Sequence, residues 1–194
     1  MPVILGLDIA TVTGFALYDT DASLSSIKTG LIKAEGNDAE QKAASIAMQM
    51  VKLITSTKDS EGRIGIDFIA LEQPMRNVVS FKKTRQTLAG PVEENTINPN
   101  ALQLSSLSGA VVGIIAAYRL PWVTIPSSTW RKHFLGMGRS PGFDRAAWKR
   151  VAVERCRALR ITVKNADAAE AVGIAMAAEA SQEFRYLKVG RAAA

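Results

Sequence analysis

Four acidic side chains fall where the neighbouring residues are apolar. Asp8 follows Val3-Ile4-Leu5-Gly6-Leu7, Glu72 follows Phe68-Ile69-Ala70-Leu71, and Asp167 and Glu170 lie in an alanine-rich run. Ionised carboxylates are rarely buried unless they are paired or bound to metal, so a set at strand ends and on one helix face suggests a divalent cation site. Such a cage suits two ions about 3.5–4 Å apart, one activating water and the other stabilising the leaving oxygen of an in-line phosphoryl displacement. Oxygen-only ligation favours magnesium, with manganese as the alternative, while one cysteine and one histidine count against zinc. Each acid taken singly has a plainer use. Asp8 suits a turn cap, and Asp167 and Glu170 suit a first helical turn, where acids oppose the macrodipole. The set of four together suggests the metal site.

The elements that must position these acids follow from periodicity. Pro2 to Ile9 is an apolar run of strand length, and Gly14 to Asp19 and Ser26 to Lys33 alternate like strands, which predicts an antiparallel three-strand meander. Thr13 and Gly14 are expected to allow a sharp turn after Asp8. Ala43, Ala47, Met50, Val51 and Ile54 predict an amphipathic helix over Asp38 to Thr57, and the polar loop Lys58 to Gly65 leads to a buried strand, Ile66 to Glu72, stopped by Pro74. Met75 to Asn100 has few periodic apolar positions and reads as a long basic loop or arm. Ala101 to Tyr118 is an apolar helix, and Trp122 to Ile125 a strand, so strand, helix and strand suggest a parallel crossover. Ser127 to Phe134 forms a short helix capped by Ser127 or Ser128, followed by a turn over Gly136 to Gly142. A helix starts at Asp144, with Trp148, Ala152, Cys156 and Leu159 at core spacing. The last helix, Ala166 to about Phe184, puts Asp167 and Glu170 one turn apart on one surface. Asp8 and Glu72 end strands of one sheet, and a helix packed over it can bring all four together.

Composition sets the class. With 194 residues, 47% of them hydrophobic and 22% charged, the chain fits a single globular domain. The strongly apolar stretch Gly109 to Tyr118 is too short to span a bilayer, and Asp8 interrupts the apolar start, so neither a membrane anchor nor a signal-peptide core is expected. The lone Cys156 has no disulfide partner within the chain and is expected to pack in a helix. The formal charge of +6 is unevenly spread: residues 1–75 hold 6 basic and 10 acidic side chains, whereas residues 119–164 hold 11 basic and 2 acidic. A basic block facing a carboxylate cluster suits an enzyme acting on a polyanion, with nucleic acid the natural candidate.

The ordered set Ile4-Leu5-Gly6-Leu7-Asp8 with Thr13-Gly14, Ala70-Leu71-Glu72-Gln73 and Asp167-Ala168-Ala169-Glu170-Ala171 resembles the RuvC family of Holliday junction resolvases. The similarity continues through Ala101-Leu102-Gln103-Leu104 to Gly109 and through Trp130-Arg131-Lys132 to Gly136-Met137-Gly138. It implies an α/β ribonuclease H-like fold, a mixed five-stranded sheet flanked by helices. It also implies a homodimer, magnesium, paired symmetrical nicks across a four-way DNA junction, and action in the cytoplasm of a bacterium or of a phage's host. Asp8, Glu72, Asp167 and Glu170 take the acidic positions. Arg131 falls where the family tends to have a catalytic lysine, a one-residue slip would substitute Lys132, and Arg145 matches a second basic position. The expected DNA contacts are Arg76, Phe81, Lys82, Lys83 and Arg85 in the long segment, and Lys132, Arg139, Arg145 and Lys149 in the basic block.

Three departures mark this chain. Ile9 and Ala10 stand where the family usually has proline and glycine, Glu170 replaces the commoner aspartate, and the segment after Glu72 is longer. The junction-opening aromatic therefore has no fixed equivalent: Met75 lies near its position, and Phe81 is the alternative, able to stack on an unpaired base. Trp130 and Trp148 sit at core spacing, and no role as a base is expected of His133. A twofold dimer suits two nicks in symmetry-related strands, and Ala101 to Tyr118 is either its interface or packing for the monomer's own sheet. Two other functions stay open: a nuclease of this fold acting on flaps, other branched DNA or RNA, and a noncatalytic DNA-binding module. An actin-like or sugar-kinase ATPase also starts with a strand ending in aspartate, but its paired domains need a longer chain and phosphate loops, so no nucleotide cofactor is expected.

Overall fold

In the computed structural model, residues 2–74, 80–87, 90–97 and 99–192 are described. The order is β1 (Val3–Asp8), β2 (Val12–Asp19), β3 (Lys28–Lys33), α1 (Ala39–Ser56), β4 (Phe68–Glu72), β5 (Ser80–Thr87), β6 (Gly90–Ile97), α2 (Pro99–Ala117), β7 (Trp122–Ile125), α3 (Ser127–Leu135), α4 (Arg145–Ala158), α5 (Ala166–Glu179) and α6 (Gln182–Ala192). Five strands form a mixed sheet in the order β3-β2-β1-β4-β7. The meander β1–β2–β3 is antiparallel, while β4 runs parallel to both β1 and β7, so α2 completes a parallel crossover. The expected α/β fold with a five-stranded mixed sheet is the one observed.

Strand alternation divides the core into two layers. Ile4, Ala16, Tyr18, Phe68 and Ala70 face α3, α4, α5 and α6, where they meet Trp130, Phe134, Val172 and Phe184. Leu5, Leu7, Ile69 and Leu71 face α1 and α2, where they meet Ile46, Met50, Leu107, Val111 and Ile115. With a period of two, Asp8 follows Ile4 and Gly6 onto the α5 face, and Glu72 follows Phe68 and Ala70 onto the same face. Both carboxylates therefore leave the sheet at one end and on one side.

Trp130 and Trp148 are core residues, as their spacing implies, and Cys156 is fully buried. Burial pushes the Cys156 thiol up to about 12, which agrees with a packing role rather than a reactive one. By length and composition, residues 100–117 of α2 would suffice to cross a bilayer. Here its Leu107, Val111 and Ile115 stripe is core, while Leu102, Gly109, Gly113 and Ala116 face outward. Both readings of this helix thus have a face: one packs on the monomer and the other is uncovered.

Several expectations are corrected. The segment predicted as a long loop is, in its described parts, a β-hairpin with β5 and β6 in register from Ser80↔Ile97 to Thr87↔Gly90. Its described side chains are mostly exposed, so its strands lack the apolar alternation that marks half-buried ones. Met75 and Arg76 lie outside the described residues, and Phe81 lies in β5. The last helix is two, because the chain turns at Ala180 and Ser181 and the Ser181 hydroxyl accepts from the Phe184 amide at 3.2 Å, starting α6. The cap position of α3 is Pro126, not a serine. Gly14 is not a turn residue but the ladder partner of Asp8 inside β2, while the turn is closed by Thr13, whose hydroxyl donates to the Ala10 carbonyl at 2.8 Å.

Candidate metal centre

The N-terminal turn of α5 is placed by local chemistry. The Asn165 side chain caps the helix by accepting from the Ala168 amide at 2.9 Å, and its Nδ2 donates to Asp167 Oδ2 at 3.2 Å. The helix approaches the sheet so closely that small residues are required on both sides. A Cβ on Gly14 would lie 2.0 Å from the Asp167 carbonyl oxygen, and one on Gly6 would lie 2.3 Å from that of Ala171. Asp167 is therefore held by its backbone over β2, beside the strand that carries Asp8. Gly14→Ala is expected to push α5 off the sheet, at a cost of about 1–3 kcal/mol for overpacking. Urea unfolding gives that loss.

Asp8, Asp167 and Glu170 offer carboxylate oxygens that all lie within 4.8 Å of one another. Asp8 and Glu170 are almost fully buried. Burial, with the Glu170 and Glu72 charges added, pushes the Asp8 carboxyl well above the usual carboxylate range. Burial also raises Glu170, against the opposing pull of Lys149, with Glu72 adding to the rise and Arg131 opposing it. Glu72, at the end of β4, lines the same groove without belonging to that set of three, and is held by the Ser127 hydroxyl, which donates to its Oε1.

Cations surround this cluster without neutralising it. Lys149 from α4 donates to Asp167 Oδ1 and lies 4.0 Å from Glu170 Oε2. The Arg131 guanidinium stacks 4.7 Å from the Trp148 ring centroid and 5.3 Å from that of Trp130. Among the described residues no hydrogen bond or ion pair engages the Arg131 guanidinium, and its Nε is buried without a partner. The four acids outnumber these two cations, and two of them, Asp8 and Glu170, are buried. A donor set made only of carboxylate oxygens fits a hard divalent cation.

The cluster opens into a groove of about 570 Å³. Arg131, Arg145 and Lys149 line one part of it, and Thr11, Gln103 and Ser108 another. α2 is tied here to the β1–β2 turn and to α1, since Gln103 Nε2 donates to Thr11 Oγ1 at 2.9 Å and Lys42 Nζ donates to Gln103 Oε1 at 3.0 Å.

All four predicted acids are thus brought to one groove, together with Arg131, Arg145 and Lys149. Lys132 is not among them: it projects from another face of α3, with Arg139, into a separate groove. His133 is exposed there too. Lys82 and Glu93 form an ion pair of 3.0 Å on the hairpin, and Lys83 and Arg85 are exposed on it. Sequence reasoning did not foresee Ser127 as the partner of Glu72 or Lys149 as the cation in contact with the acids. The signal for Ser127 is its place four residues before Arg131 on a helix; for Lys149 it is its place four residues after Arg145.

Comparison with known proteins bears on the fold. The chain superimposes on the Thermus thermophilus RuvC structure with a TM-score of 0.59 and 14% sequence identity, over 97% of this chain and 96% of that one. It matches T. thermophilus RuvC in complex with Holliday junction substrate with the same score and identity, over 91% and 92% of the two chains. No family model matches the chain, and no curated protein matches it. The fold is RuvC-like, in agreement with the resemblance of the sequence.

Proposed function

We propose that this protein is a divalent-metal-dependent, structure-selective endodeoxyribonuclease that resolves four-way DNA junctions by paired symmetrical nicks. The observation that carries the reading is the convergence of Asp8, Glu72, Asp167 and Glu170 from β1, β4 and α5 in one groove whose rim carries Arg131, Arg145 and Lys149. The likeness to a RuvC solved with a Holliday junction substrate supports the choice of substrate.

Asp8, Glu72, Asp167 and Glu170 would hold magnesium, or manganese in its place, with two ions per site. When bound, such ions supply an activated water and Lewis-acid stabilisation of the leaving oxygen. The remaining work belongs to the chain. Arg131 offers uncommitted donors to a phosphate, and its stack on Trp148 fixes their direction. Lys149, which donates to Asp167 Oδ1, is placed to pair with a phosphate oxygen as well. The hydroxyl of Ser127 fixes the Glu72 carboxylate. Arg145 at the start of α4 adds charge at the groove mouth, where it draws the polyanion in.

The functional unit proposed is a homodimer, which presents two such sites to the two strands to be cut. Its interface is the outward face of α2. A Cβ at Gly109 or Gly113 would meet nothing within 4 Å, so these glycines are not needed for packing within the monomer. They leave a flat strip beside Leu102 and Ala116. Gly113→Arg should split the dimer, and light scattering should then report the 20.8 kDa chain mass instead of twice that value.

The substrate is tested by cleavage in magnesium of a mobile four-way junction, a flap, a linear duplex and an RNA/DNA hybrid. Cutting confined to the junction supports the resolvase. Equal or faster cutting of flap or hybrid moves the assignment to another nuclease of this fold, and binding without cutting moves it to a noncatalytic module.

A further inference from the structure

The segment between α3 and α4 closes on a defined turn. In Ser140-Pro141-Gly142-Phe143 the Phe143 amide donates to the Ser140 carbonyl at 3.2 Å and Gly142 takes φ 83°, with proline ahead of it, the pattern of a type II turn. The turn delivers Phe143 to the position just before the cap of α4, where the Asp144 side chain accepts from the Ala147 amide at 2.7 Å. Phe143 then packs on Trp148 in the second turn of the helix, a hydrophobic staple that fixes how the chain enters α4.

A staple needs only two apolar side chains. Here both are aromatic and they meet edge to face, with centroids 5.0 Å apart and planes at 63°. That geometry fixes the plane of the Trp148 ring as well as its place. The plane has a second use, because the same ring carries the Arg131 guanidinium 4.7 Å from its centroid. Among the described residues no hydrogen bond or ion pair holds Arg131, so Trp148 and its sequence neighbour Trp130 are what direct its fork. Arg131 lines the carboxylate groove, and Phe143 does not. A lysine, which the family tends to have where Arg131 falls, would need no such support: its ammonium is a point charge, whereas a guanidinium forks onto phosphate only in a set plane.

We infer that Phe143 is a positioning residue: through Trp148 it sets the plane in which Arg131 offers its donors to the groove, without meeting the substrate itself. Its part in cleavage rests on the nuclease reading above, in which Arg131 meets the reacting phosphate.

The test compares Phe143→Leu in the wild type and in Arg131→Lys, by single-turnover cleavage of a four-way junction in magnesium, urea unfolding and nuclear magnetic resonance. Leucine keeps the staple and loses the edge-to-face contact, so the urea midpoint should stay near that of the wild type. Cleavage at saturating protein should fall about fivefold in the wild-type background, the scale of one aromatic pair, with junction affinity little changed. With lysine at position 131 there is no plane to set, and the same substitution should change the rate less than about twofold, the non-additivity expected of groups that act through one another. The Arg131 Nε–H, buried beside the indoles, should give a proton signal displaced by their ring currents and recognised by its absence from Arg131→Lys. Phe143→Leu should move that signal. An unchanged wild-type rate, an equal fall in both backgrounds, or an unmoved Nε–H signal each overturns the inference and leaves Phe143 as a staple alone, with the nuclease reading intact. If the wild type cuts no DNA while the signal moves as expected, the nuclease reading fails and the positioning of Arg131 by Phe143 stands.

Discussion

Asp8→Asn is expected to lower magnesium-dependent cleavage by about a thousandfold or more while making the metal-free protein more stable. The loss follows from removing a carboxylate at the centre of the cluster, where charge stabilisation of the transition state is commonly worth a factor of about 10²–10³ per group. The gain follows from the same burial. Without metal, Asp8 is a carboxylate shielded from water and surrounded by Glu170, Glu72 and Asp167, and asparagine keeps its shape without its charge. Relief of an uncompensated buried group is worth on the order of 1–3 kcal/mol. Junction binding should change little, because the groove's cations remain. A variant that loses activity because it misfolds would lose stability too, so the opposite signs of the two effects separate a functional acid from a structural one.

The same burial fixes a pH dependence for the metal-free protein. Asp8 and Glu170 both hold their protons to higher pH when folded than when unfolded. The folded state therefore binds more protons in the interval between the ordinary carboxylate pKa and the raised one, and stability falls as pH rises through that interval. Urea midpoints should be higher near pH 5 than near pH 7.5, and Asp8→Asn should flatten the difference. Magnesium, by binding the ionised form of the folded state, should raise the midpoint most at the higher pH.

Arg131→Ala is expected to reduce cleavage at saturating DNA about a hundredfold, with a smaller effect on affinity. Among the described residues the Arg131 donors are unspent and its plane is held by two indole rings, so its contribution is expected at the reacting phosphate rather than along the arms. Arg131→Lys keeps the charge but loses the planar stack and fork, and should fall between alanine and wild type. Single-turnover rates at saturating protein read this directly. A rate within twofold of wild type for the alanine variant would remove Arg131 from the chemistry and leave it as a core cation packed on Trp148.

The legible part of the architecture was the part written in periodicity. Ile4, Gly6 and Asp8 alternate with Leu5 and Leu7, and Phe68, Ala70 and Glu72 with Ile69 and Leu71, so two acids on one side of a sheet could be read from spacing alone. Asp167 and Glu170 at i and i+3 added a helix surface, while the RuvC-like fold came from the resemblance of the ordered motifs and not from spacing. What spacing does not carry is the close approach of elements distant in sequence. Gly14 looks like a turn glycine, yet its role is to admit the Asp167 backbone. Lys149 looks like one more cation on a basic helix until α4 packs beside α5 and its ammonium meets Asp167. The hairpin of β5 and β6 was missed because a ribbon open to solvent on both sides needs no apolar alternation, and the pairing of Lys82 with Glu93 across it appears only once the register is known.

On the proposed function, the carboxylate groove cuts DNA junctions with the help of a divalent ion. Strand-by-strand cleavage of a mobile four-way junction, labelled on each strand in turn, tests it in magnesium, in manganese and in chelator, with wild type and Asp8→Asn side by side. Nicks are expected at symmetrical positions in two opposing strands, present with either metal and absent in chelator and in the variant. No cutting by the wild type with either metal, or equal cutting by Asp8→Asn, would contradict it.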